Sequence, residues 1–250
     1  MHLPKLVILM AGFLLLVIIC QLPLTRVYAA AKVPILMYHY IGNNPNPKDL
    51  ARNTLSVTPD KFEAQMDYLS KQGYTAVSLD TLAAIFSGAA TAPAKPIVLT
   101  FDDGYIDFYL NAYPILRKYN FSAVEFIATG LIGQPAYMTW AQIEDLQNRG
   151  GVTFEAHSIT HPNLSILSQA AARNEIKTSK DVIFSHTHYP VNFFAYPYGA
   201  TNASLQSLVK QAGFVGALGT WFGKSTGINF NMPRIRITGQ MKLSEFASKL

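Results

Sequence analysis

Short apolar runs alternate along the chain with longer stretches in which apolar residues recur every three or four positions. The runs predict buried β-strands, and the stretches predict amphipathic helices. In the helix predicted over 58–73, Phe62, Met66 and Leu69 share one face, while Thr58 can cap the helix and Gly73 ends it. The predicted strands are 33–40, 74–79, 97–101, 122–128, 152–156, 192–196, 214–218 and 234–237. The predicted helices are 58–73, 80–88, 107–119, 139–149, 167–186, 202–212 and 243–249, with loops at 43–49 and 87–96.

The order of these elements predicts the fold class. Strands that are apolar throughout, with a helix after most of them, are typical of parallel sheets that helices cover. So many strand–helix units in about 220 residues favour an α/β barrel like the TIM barrel over an open sheet. A chain of 250 residues with 50% hydrophobic content can bury one substantial core, so residues 31–250 are predicted to form one domain.

Residues 1–30 have the pattern of an export signal. The stretch from Leu6 to Cys20 is an unbroken apolar run, and small residues at 29–31 offer a cleavage site. The run is shorter than the roughly 20 residues of a comfortable membrane span. We therefore expect a cleaved signal peptide, with a retained membrane anchor through 6–24 as the alternative. Either way the protein is expected to be exported, to the extracellular space, the cell wall or the periplasm.

Charge and cysteine content narrow the expected partners. Lys+Arg number 20 and Asp+Glu number 15, and no long basic run indicates nucleic acid; the excess could favour anionic cell surfaces. The single cysteine, Cys20, lies in the predicted leader, so the rest of the chain has no disulfide and no thiolate metal site. The oligomeric state stays open, with a monomer favoured.

Polar and titratable residues lie at the ends of several predicted strands or directly after them. They are His39, Asp102 with Asp103, His157 with His161, and Tyr198. In a parallel barrel the carboxyl ends of the strands meet at one end, where chemistry gathers. Two adjacent buried carboxylates repel each other unless something positive lies beside them, so the aspartates are either solvated at a turn or placed around a cation.

His157 and His161 are four residues apart, the spacing at which two imidazoles on one helical turn can share a metal. Taken alone, this spacing is better explained by solvated or core histidines. Together with an aspartate from another strand end, two imidazoles and one carboxylate leave a coordination position open, which is typical of a catalytic metal site. This donor set suits Zn²⁺ best, with Co²⁺ or Ni²⁺ as alternatives.

Three segments in this order carry a family resemblance: "TFDDG" at 100–104, "HSITH" at 157–161 and "YPYG" at 196–199. They resemble the successive motifs of the polysaccharide deacetylases, also called NodB-homology or carbohydrate esterase family 4 domains. The resemblance covers roughly 33–250. It implies a distorted (β/α)7 barrel that removes N-acetyl groups from N-acetylglucosamine-containing envelope glycans with a divalent metal. It also implies roles for single residues: Asp102 as catalytic base, Asp103, His157 and His161 as metal ligands, and the backbone N–H of Tyr198 as an oxyanion donor.

The chain departs from the family pattern in two places. Ala195 stands where the third motif commonly has an arginine, and no histidine follows His188, although the family usually supplies a late histidine as general acid. His39 ends the first strand, which neighbours the last strand in a closed barrel. The chain therefore resembles the circularly permuted branch that includes deacetylases of poly-β-1,6-N-acetylglucosamine, in which a first-strand histidine is the acid. Arg234 or Arg236 could supply the missing charge beside Asp102.

Aromatic residues are candidates for the sugar-binding surface, since sugar rings present C–H faces to π-systems. The candidates are Tyr38, Trp140, Tyr196, Trp221 and, within "YPYG", Pro197 and Tyr198. With 13 Tyr and 15 Phe, the alternative for each is a place in the core. The segment "GKSTG" at 223–227 fits a loop better than a nucleophile elbow, and His186 with His188 fits a solvated turn. Two other functions stay open: a catalytically silent glycan-binding relative, and a deacetylase of another carbohydrate such as xylan or peptidoglycan.

Overall fold

The computed structural model describes residues 32–250, and the elements of this part are numbered in chain order. The strands are β1 (Ile35–Tyr38), β2 (Tyr40–Ile41), β3 (Ser56–Val57), β4 (Thr75–Ala76), β5 (Pro96–Asp103), β6 (Ala123–Ile127), β7 (Val152–Ala156), β8 (Phe193–Ala195), β9 (Gly216–Leu218) and β10 (Ile235–Arg236). The helices are α1 (Leu50–Leu55), α2 (Pro59–Lys71), α3 (Leu79–Phe86), α4 (Tyr113–Lys118), α5 (Trp140–Arg149), α6 (Gln169–Thr187), α7 (Ala203–Gln211) and α8 (Leu243–Lys249).

Seven of these strands form a curved parallel sheet in the order β10–β1–β5–β6–β7–β8–β9, and β4 pairs with the start of β5. The segment before β10 joins the two ends of this sheet, because the Met232 N–H donates to the Ala217 carbonyl at 2.8 Å and the Gly219 N–H donates to the Met232 carbonyl at 2.9 Å. The described part of the chain is therefore the distorted (β/α)7 barrel that the sequence predicts.

The barrel is least regular between β7 and β8, which share a single residue pair in their ladder, Ala156 with Phe194. The buried carboxylate of Glu155 takes the place of ladder carbonyls there. It accepts the N–H groups of Asn192 and Phe193 at 2.8 and 2.7 Å. A side chain thus satisfies two backbone donors that a short strand leaves without a carbonyl partner.

Alternation along β5 separates an interior face from a helix-facing one. Ile97, Leu99 and Phe101 belong to the large core between the strands and the helices, whereas Val98 belongs to a second cluster inside the barrel. Asp102 lies on the face of Val98 and is buried. The other members of the interior cluster come from β1, β6, β8, β9 and the segment before β10, and α3 adds to it through Leu79 and Leu82. The interior of the barrel is therefore packed, and Asp102 lies at its carboxyl end.

Most predicted elements are confirmed with shifts of a few residues at their ends, and β7 has the predicted bounds. The sequence did not predict β2, which precedes the loop at 43–49, or α1 and β3, which follow it. The helix predicted over 107–119 begins as a π-helical turn, Phe108–Ala112. Thr58 precedes α2 at the cap position, but its side chain makes no capping hydrogen bond. The signal or anchor predicted for 1–30 lies outside the described residues, and no helix within 32–250 has the length and apolar character needed to cross a membrane.

Candidate active site

A cavity of about 350 Å³ opens at the carboxyl ends of the barrel strands. Its lining residues are His39, Leu55, Asp102, Asp103, Tyr105, His157, His161, Tyr196, Tyr198, Thr220 and Arg236. The histidines and aspartates that the sequence placed after separate strands therefore lie around one cavity.

Asp103, His157 and His161 form the most compact cluster in this cavity. Each offers one ligand atom, and the three atoms lie within 4.8 Å of one another. Oδ1 of Asp103 lies 3.4 Å from Nε2 of His157 and 3.3 Å from Nε2 of His161. These separations suit three donors that surround one ion.

The two histidines reach this arrangement through a tight turn and not through a helix, so the helical turn expected from their spacing is wrong. Residues 157–161 are irregular, and Ser158 and His161 both have left-handed backbone conformations, with φ of 67° and 58°. Asp103 is also left-handed, with φ of 85°. Such conformations are unfavourable for residues other than glycine and concentrate at functional sites.

The polar groups around the cluster fit a divalent cation. Oδ1 of Asp103 is buried and has no hydrogen-bond partner among the described residues, which is costly unless a cation or a solvent molecule meets it. Nδ1 of His157 lies 2.8 Å from the carbonyl oxygen of Ala195, so its N–H donates there and Nε2 carries the lone pair that faces Asp103. Burial raises the pKa of Asp103, but the neighbouring imidazoles, that of His157 foremost, outweigh burial and leave a net lowered pKa. The carboxylate is thus ionised and available as a ligand.

Asp102 does not join this cluster; it pairs with Arg234. The guanidinium Nη1 and Nη2 atoms donate to the two carboxylate oxygens at 2.7 and 2.8 Å, and Arg234 is fully buried. Nε of Arg234 donates to the Gly219 carbonyl at 2.9 Å, and Nη1 also reaches Oγ1 of Thr100 at 3.1 Å. The carboxylate is therefore fixed in orientation by two parallel charge-assisted hydrogen bonds.

Of the two arginines that the sequence proposed for this role, Arg234 contacts Asp102 and Arg236 does not. Arg236 lies exposed at the mouth of the cavity. Ala195, at the position of the family's usual arginine, belongs to the small interior cluster and carries no charge.

The pKa of Asp102 reflects two opposing effects. Burial raises it, while the charge of Arg234, the charge of His157 and the hydrogen bonds from Arg234 lower it. The net pKa lies below the ordinary value for an aspartate. Asp102 is therefore a carboxylate over the whole physiological pH range.

His39 lies in the same cavity, between β1 and β2. Its Nδ1 is buried and has no hydrogen-bond partner among residues 32–250. Burial lowers the pKa of His39, and the carboxylates of Asp102 and Asp103 act against that shift. The ring is thus a titratable group with one nitrogen not yet used by the protein.

The structure corrects two of the aromatic candidates. Tyr38 faces the helices and not the cavity: it is fully buried between Phe62 and Phe101, and its hydroxyl donates to Gln65 at 2.8 Å. Its place follows from strand alternation, because Tyr38 shares the helix-facing side of β1 with Leu36.

Trp140, the second aromatic to be corrected, lies at the start of α5, outside the lining of the cavity. Its ring stacks on His186 with 3.9 Å between the centroids. This contact also shows that His186 packs against a neighbouring helix, where its Nδ1 lies 3.3 Å from Glu144.

The "YPYG" residues and Trp221 have different surroundings. Tyr196 lines the cavity, but its hydroxyl donates to the Phe230 carbonyl at 3.0 Å. Pro197 is buried. Tyr198 is 66% exposed, left-handed at φ 60°, and meets the edge of His161 with 4.7 Å between ring centroids. Trp221 follows the cavity residue Thr220, is 52% exposed, and donates from Nε1 to the Asn231 carbonyl at 3.0 Å.

Sequence reasoning missed a row of tyrosines beside the cavity. Tyr105, which lines it, stacks between Tyr40 at 3.9 Å and Tyr137 at 5.0 Å, and the Arg52 guanidinium lies 4.3 Å above the Tyr40 ring. The signal for Tyr105 was its position directly after Asp103 and Gly104. The signal for the other two is absent from the sequence, because only the fold brings them together.

The segment "GKSTG" is a loop, as predicted. Ser225 is buried, its hydroxyl donates to the Gly227 carbonyl at 2.9 Å, and its backbone pairs with Val33 where the chain enters β1. Ser225 therefore has a structural role at the opposite end of β1 from the cavity.

Comparison with known proteins identifies the family. A family model described as polysaccharide deacetylase matches residues 89–217, just over half of the chain. The chain therefore belongs to the polysaccharide deacetylase family, whose members are hydrolases.

Several relatives extend this similarity. YxkH of Bacillus subtilis (strain 168), named as a polysaccharide deacetylase, is 29% identical over 220 residues, which cover 87% of this chain and 76% of that protein. The poly-β-1,6-N-acetyl-D-glucosamine N-deacetylase of Staphylococcus aureus (strain MRSA252) is 29% identical over 171 residues, which cover 63% of this chain and only 59% of that enzyme. The solved structure of the Streptococcus pyogenes deacetylase PplD in complex with acetate has a TM-score of 0.81 and 31% identity, and the match covers 88% of this chain and 98% of that one.

Proposed function

We propose that this protein hydrolyses the N-acetyl groups of N-acetylglucosamine-containing envelope or extracellular glycans with the help of a divalent metal. The observation that carries the proposal is the meeting, in one cavity, of the Asp103–His157–His161 cluster, the Arg234–Asp102 pair and His39. Burying so many ionisable groups costs stability, and such clusters are typical of active sites. This favours a working enzyme over a silent glycan-binding relative.

Asp103, His157 and His161 would hold the metal, and their two imidazoles and one carboxylate suit Zn²⁺, with Co²⁺ or Ni²⁺ as alternatives. A divalent cation bound there would polarise the acetyl carbonyl and lower the pKa of the attacking water toward about 7. The protein fixes the donor atoms in advance, since the Ala195 carbonyl sets the tautomer of His157.

Asp102 would act as general base and accept a proton from the attacking water. Its position beside Asp103 on β5 brings it to the same end of the barrel as the metal ligands. Arg234 keeps the carboxylate ionised and aimed, so it is available to take a proton at neutral pH. A positioned base of this kind contributes typically 10²–10⁴-fold in rate.

His39 would act as general acid. Hydrolysis breaks the bond between the acetyl carbon and the sugar nitrogen, releases acetate, and leaves a free amine. An amide nitrogen leaves poorly unless it is protonated, so a donor must reach it in the transition state. No histidine follows His188 in the sequence, so no late histidine can supply this proton. His39 lines the cavity, and its buried Nδ1 lacks a partner among the described residues.

Further residues would bind the oxyanion and the sugar. The backbone N–H of Tyr198 is the proposed oxyanion donor, and one such donor is worth about 3 kcal/mol in the transition state. The exposed rings of Tyr198 and Trp221 lie at or next to the cavity and are the proposed sugar contacts. Tyr196 and Pro197 support the turn that connects β8 to Tyr198. Tyr105 adds a wall on the side of Asp103.

The substrate class and location are part of the proposal. The Staphylococcus aureus relative, by its name, acts on poly-β-1,6-N-acetyl-D-glucosamine, and this supports a glycan of N-acetylglucosamine as the substrate here. Such glycans lie outside the cytoplasm. We therefore propose that the protein is exported, which the apolar run from Leu6 to Cys20 supports.

The test is product analysis. The purified protein is stripped of metal, reloaded with Zn²⁺, Co²⁺ or Ni²⁺, and incubated with β-1,6- and β-1,4-linked N-acetylglucosamine oligomers, peptidoglycan and acetylated xylan. The proposal expects metal-dependent release of acetate and appearance of free amines on at least one N-acetylated glycan. Release from xylan alone would indicate an O-deacetylase. Glycan binding without acetate release, with metal bound, would indicate a silent relative.

A further inference from the structure

Glu175 lies on α6, outside the lining of the cavity, yet its carboxylate holds the turn that carries both candidate ligand histidines. Its Oε2 accepts the N–H of Ile159 at 2.8 Å and the N–H of Thr160 at 2.9 Å. Its Oε1 accepts the hydroxyl of Thr160 at 2.8 Å. One carboxylate thus receives three hydrogen bonds from two consecutive residues between His157 and His161.

The turn needs such support because its backbone is unfavourable. Ser158 and His161 have left-handed φ values, and neither is a glycine. The turn has one internal contact of its own, from the N–H of His161 to Oγ of Ser158 at 3.1 Å. Residues in this conformation persist where their surroundings determine them.

The opposite side of the turn is held by the segment after β6. The N–H of Thr129 donates to the Ser158 carbonyl at 3.1 Å, and the N–H of Gly130 donates to the Ile159 carbonyl at 2.8 Å. Gly130 allows this close approach, since a Cβ there would lie 2.9 Å from the Ile159 oxygen. The turn is therefore fixed from two sides, its carbonyls by the β6 segment and its N–H groups by Glu175.

We propose that Glu175 is a positioning residue that sets metal affinity by holding His157 and His161 in place against Asp103. The inference rests on the proposed metal site. Hydrogen bonds to an ionised carboxylate are among the strongest that a backbone N–H can make, so three of them fix the turn effectively. Partners that orient metal ligands typically change metal affinity by about 10- to 100-fold when they are removed.

Loss of Glu175 should shift the turn without unfolding the protein. Thr160 is exposed, so water can replace the carboxylate at its N–H and hydroxyl. The barrel core and the bonds from Thr129 and Gly130 do not involve Glu175. The expected effect is therefore on the positions of the His157 and His161 side chains relative to Asp103.

Three variants separate this role from a general effect on the fold. Glu175→Ala removes all three hydrogen bonds. Glu175→Gln can keep all three, because its amide oxygen can take both N–H groups and its NH₂ can donate to the Thr160 hydroxyl, which accepts as well as donates. Asp181→Ala is the matched control, since Asp181 is an acidic residue of the same helix that pairs with Lys177 at the surface.

The experiment measures Zn²⁺ affinity by competition with a chromophoric chelator, the visible absorption bands of the Co²⁺ form, and thermal unfolding of the metal-free protein. We expect Glu175→Ala to bind Zn²⁺ about 10- to 100-fold more weakly, with altered Co²⁺ bands and a cooperative metal-free transition. Glu175→Gln should lie within a few-fold of the wild type, and Asp181→Ala should match it.

Wild-type affinity and an unchanged Co²⁺ spectrum in Glu175→Ala would overturn the inference. If Glu175→Ala does not fold, Thr160→Val decides the matter: it removes one exposed hydroxyl contact and should weaken Zn²⁺ binding by a few-fold, and unchanged binding would count against the role. A wild-type protein that binds none of the metals would instead overturn the proposed function itself, together with this inference.

Discussion

Arg234 and Asp102 face each other inside the barrel through two hydrogen bonds of 2.7 and 2.8 Å, although they are 132 positions apart in the sequence. Arg234 lies just before β10 and supplies the charge for which the family's third motif commonly has an arginine. Because both partners are buried, the pair couples the stability of the barrel to the ionisation of the proposed base.

Replacing Arg234 with methionine should therefore change both stability and pH dependence. Leaving Asp102 buried without its partner should cost about 3–5 kcal/mol in the free energy of unfolding. Arg234 lowers the pKa of Asp102, so its removal lets burial raise that pKa. A general base works only when ionised, so the acidic limb of kcat/KM should move to higher pH. Denaturant titrations and pH–rate profiles measure the two effects.

Two comparisons make this prediction sharp. Arg236→Met removes an exposed arginine that does not contact Asp102, and it should leave the acidic limb in place. The double variant Asp102→Asn with Arg234→Met should be more stable than Arg234→Met alone, since no buried charge is left unpaired. An acidic limb that does not move in Arg234→Met would contradict the assignment of Asp102.

Asp102→Asn should keep the metal and lose turnover. The change removes a proton acceptor but none of the cluster formed by Asp103, His157 and His161. We expect a fall in kcat of at least ~10²-fold with unchanged metal content, measured by acetate release and by elemental analysis. A smaller fall would be too small for a general base.

Asp103→Ala, His157→Ala and His161→Ala should each lose metal and activity together. The three donor atoms lie within 4.8 Å of one another, so removing one leaves too few ligands for tight binding. Metal content after dialysis is the measurement. A double variant of both histidines that retained a full equivalent of metal would rule out this site.

His39→Gln should bind metal and fold normally but deacetylate slowly. A general acid works only when protonated, so activity falls as pH rises through its pKa. Burial lowers the pKa of His39, which places this basic limb at lower pH than for an exposed histidine. The variant should lose that limb, and the defect should shrink on an ester substrate because an alkoxide leaves more readily than an amide nitrogen. Full amide activity would show that His39 is not the acid.

Trp221→Ala should raise KM for glycan oligomers by about three- to tenfold with little change in kcat. Trp221 is half exposed beside the cavity residue Thr220, and Asn231 holds its ring in place. Trp140→Ala is the control, because its ring packs on His186 away from the cavity. Equal effects of the two substitutions on KM would argue against a sugar contact at Trp221.

The candidate metal ligands could be predicted from the sequence. Asp103, His157 and His161 could be placed together because each follows a strand of a parallel barrel, whose carboxyl ends meet. The conformation between the histidines could not be predicted, since this turn is held by partners from the segment after β6 and from α6. Spacing alone suggested a helical turn. The structure has an irregular turn instead, and this turn also brings the two imidazoles to Asp103.

Strand alternation would have corrected one error. Neighbouring residues of a strand point to opposite faces, so Tyr38 and His39 cannot both face the cavity. Because His39 lines the cavity, Tyr38 faces the helices together with Leu36. By contrast, the choice between Arg234 and Arg236 needed the structure. Both lie on the same face, and only the height of each along the barrel axis decides which one reaches Asp102.

The closure of the barrel also sets an order in which the protein can become active. A growing chain that has reached β8 already contains His39, both aspartates and both histidines, but the guanidinium that fixes Asp102 arrives only with the segment before β10. Its contact with Asp102 joins residues 132 positions apart, and such long-range contacts form late because their entropy cost is large. Chemical competence should thus appear at the end of folding, when the first and last described strands, β1 and β10, pair.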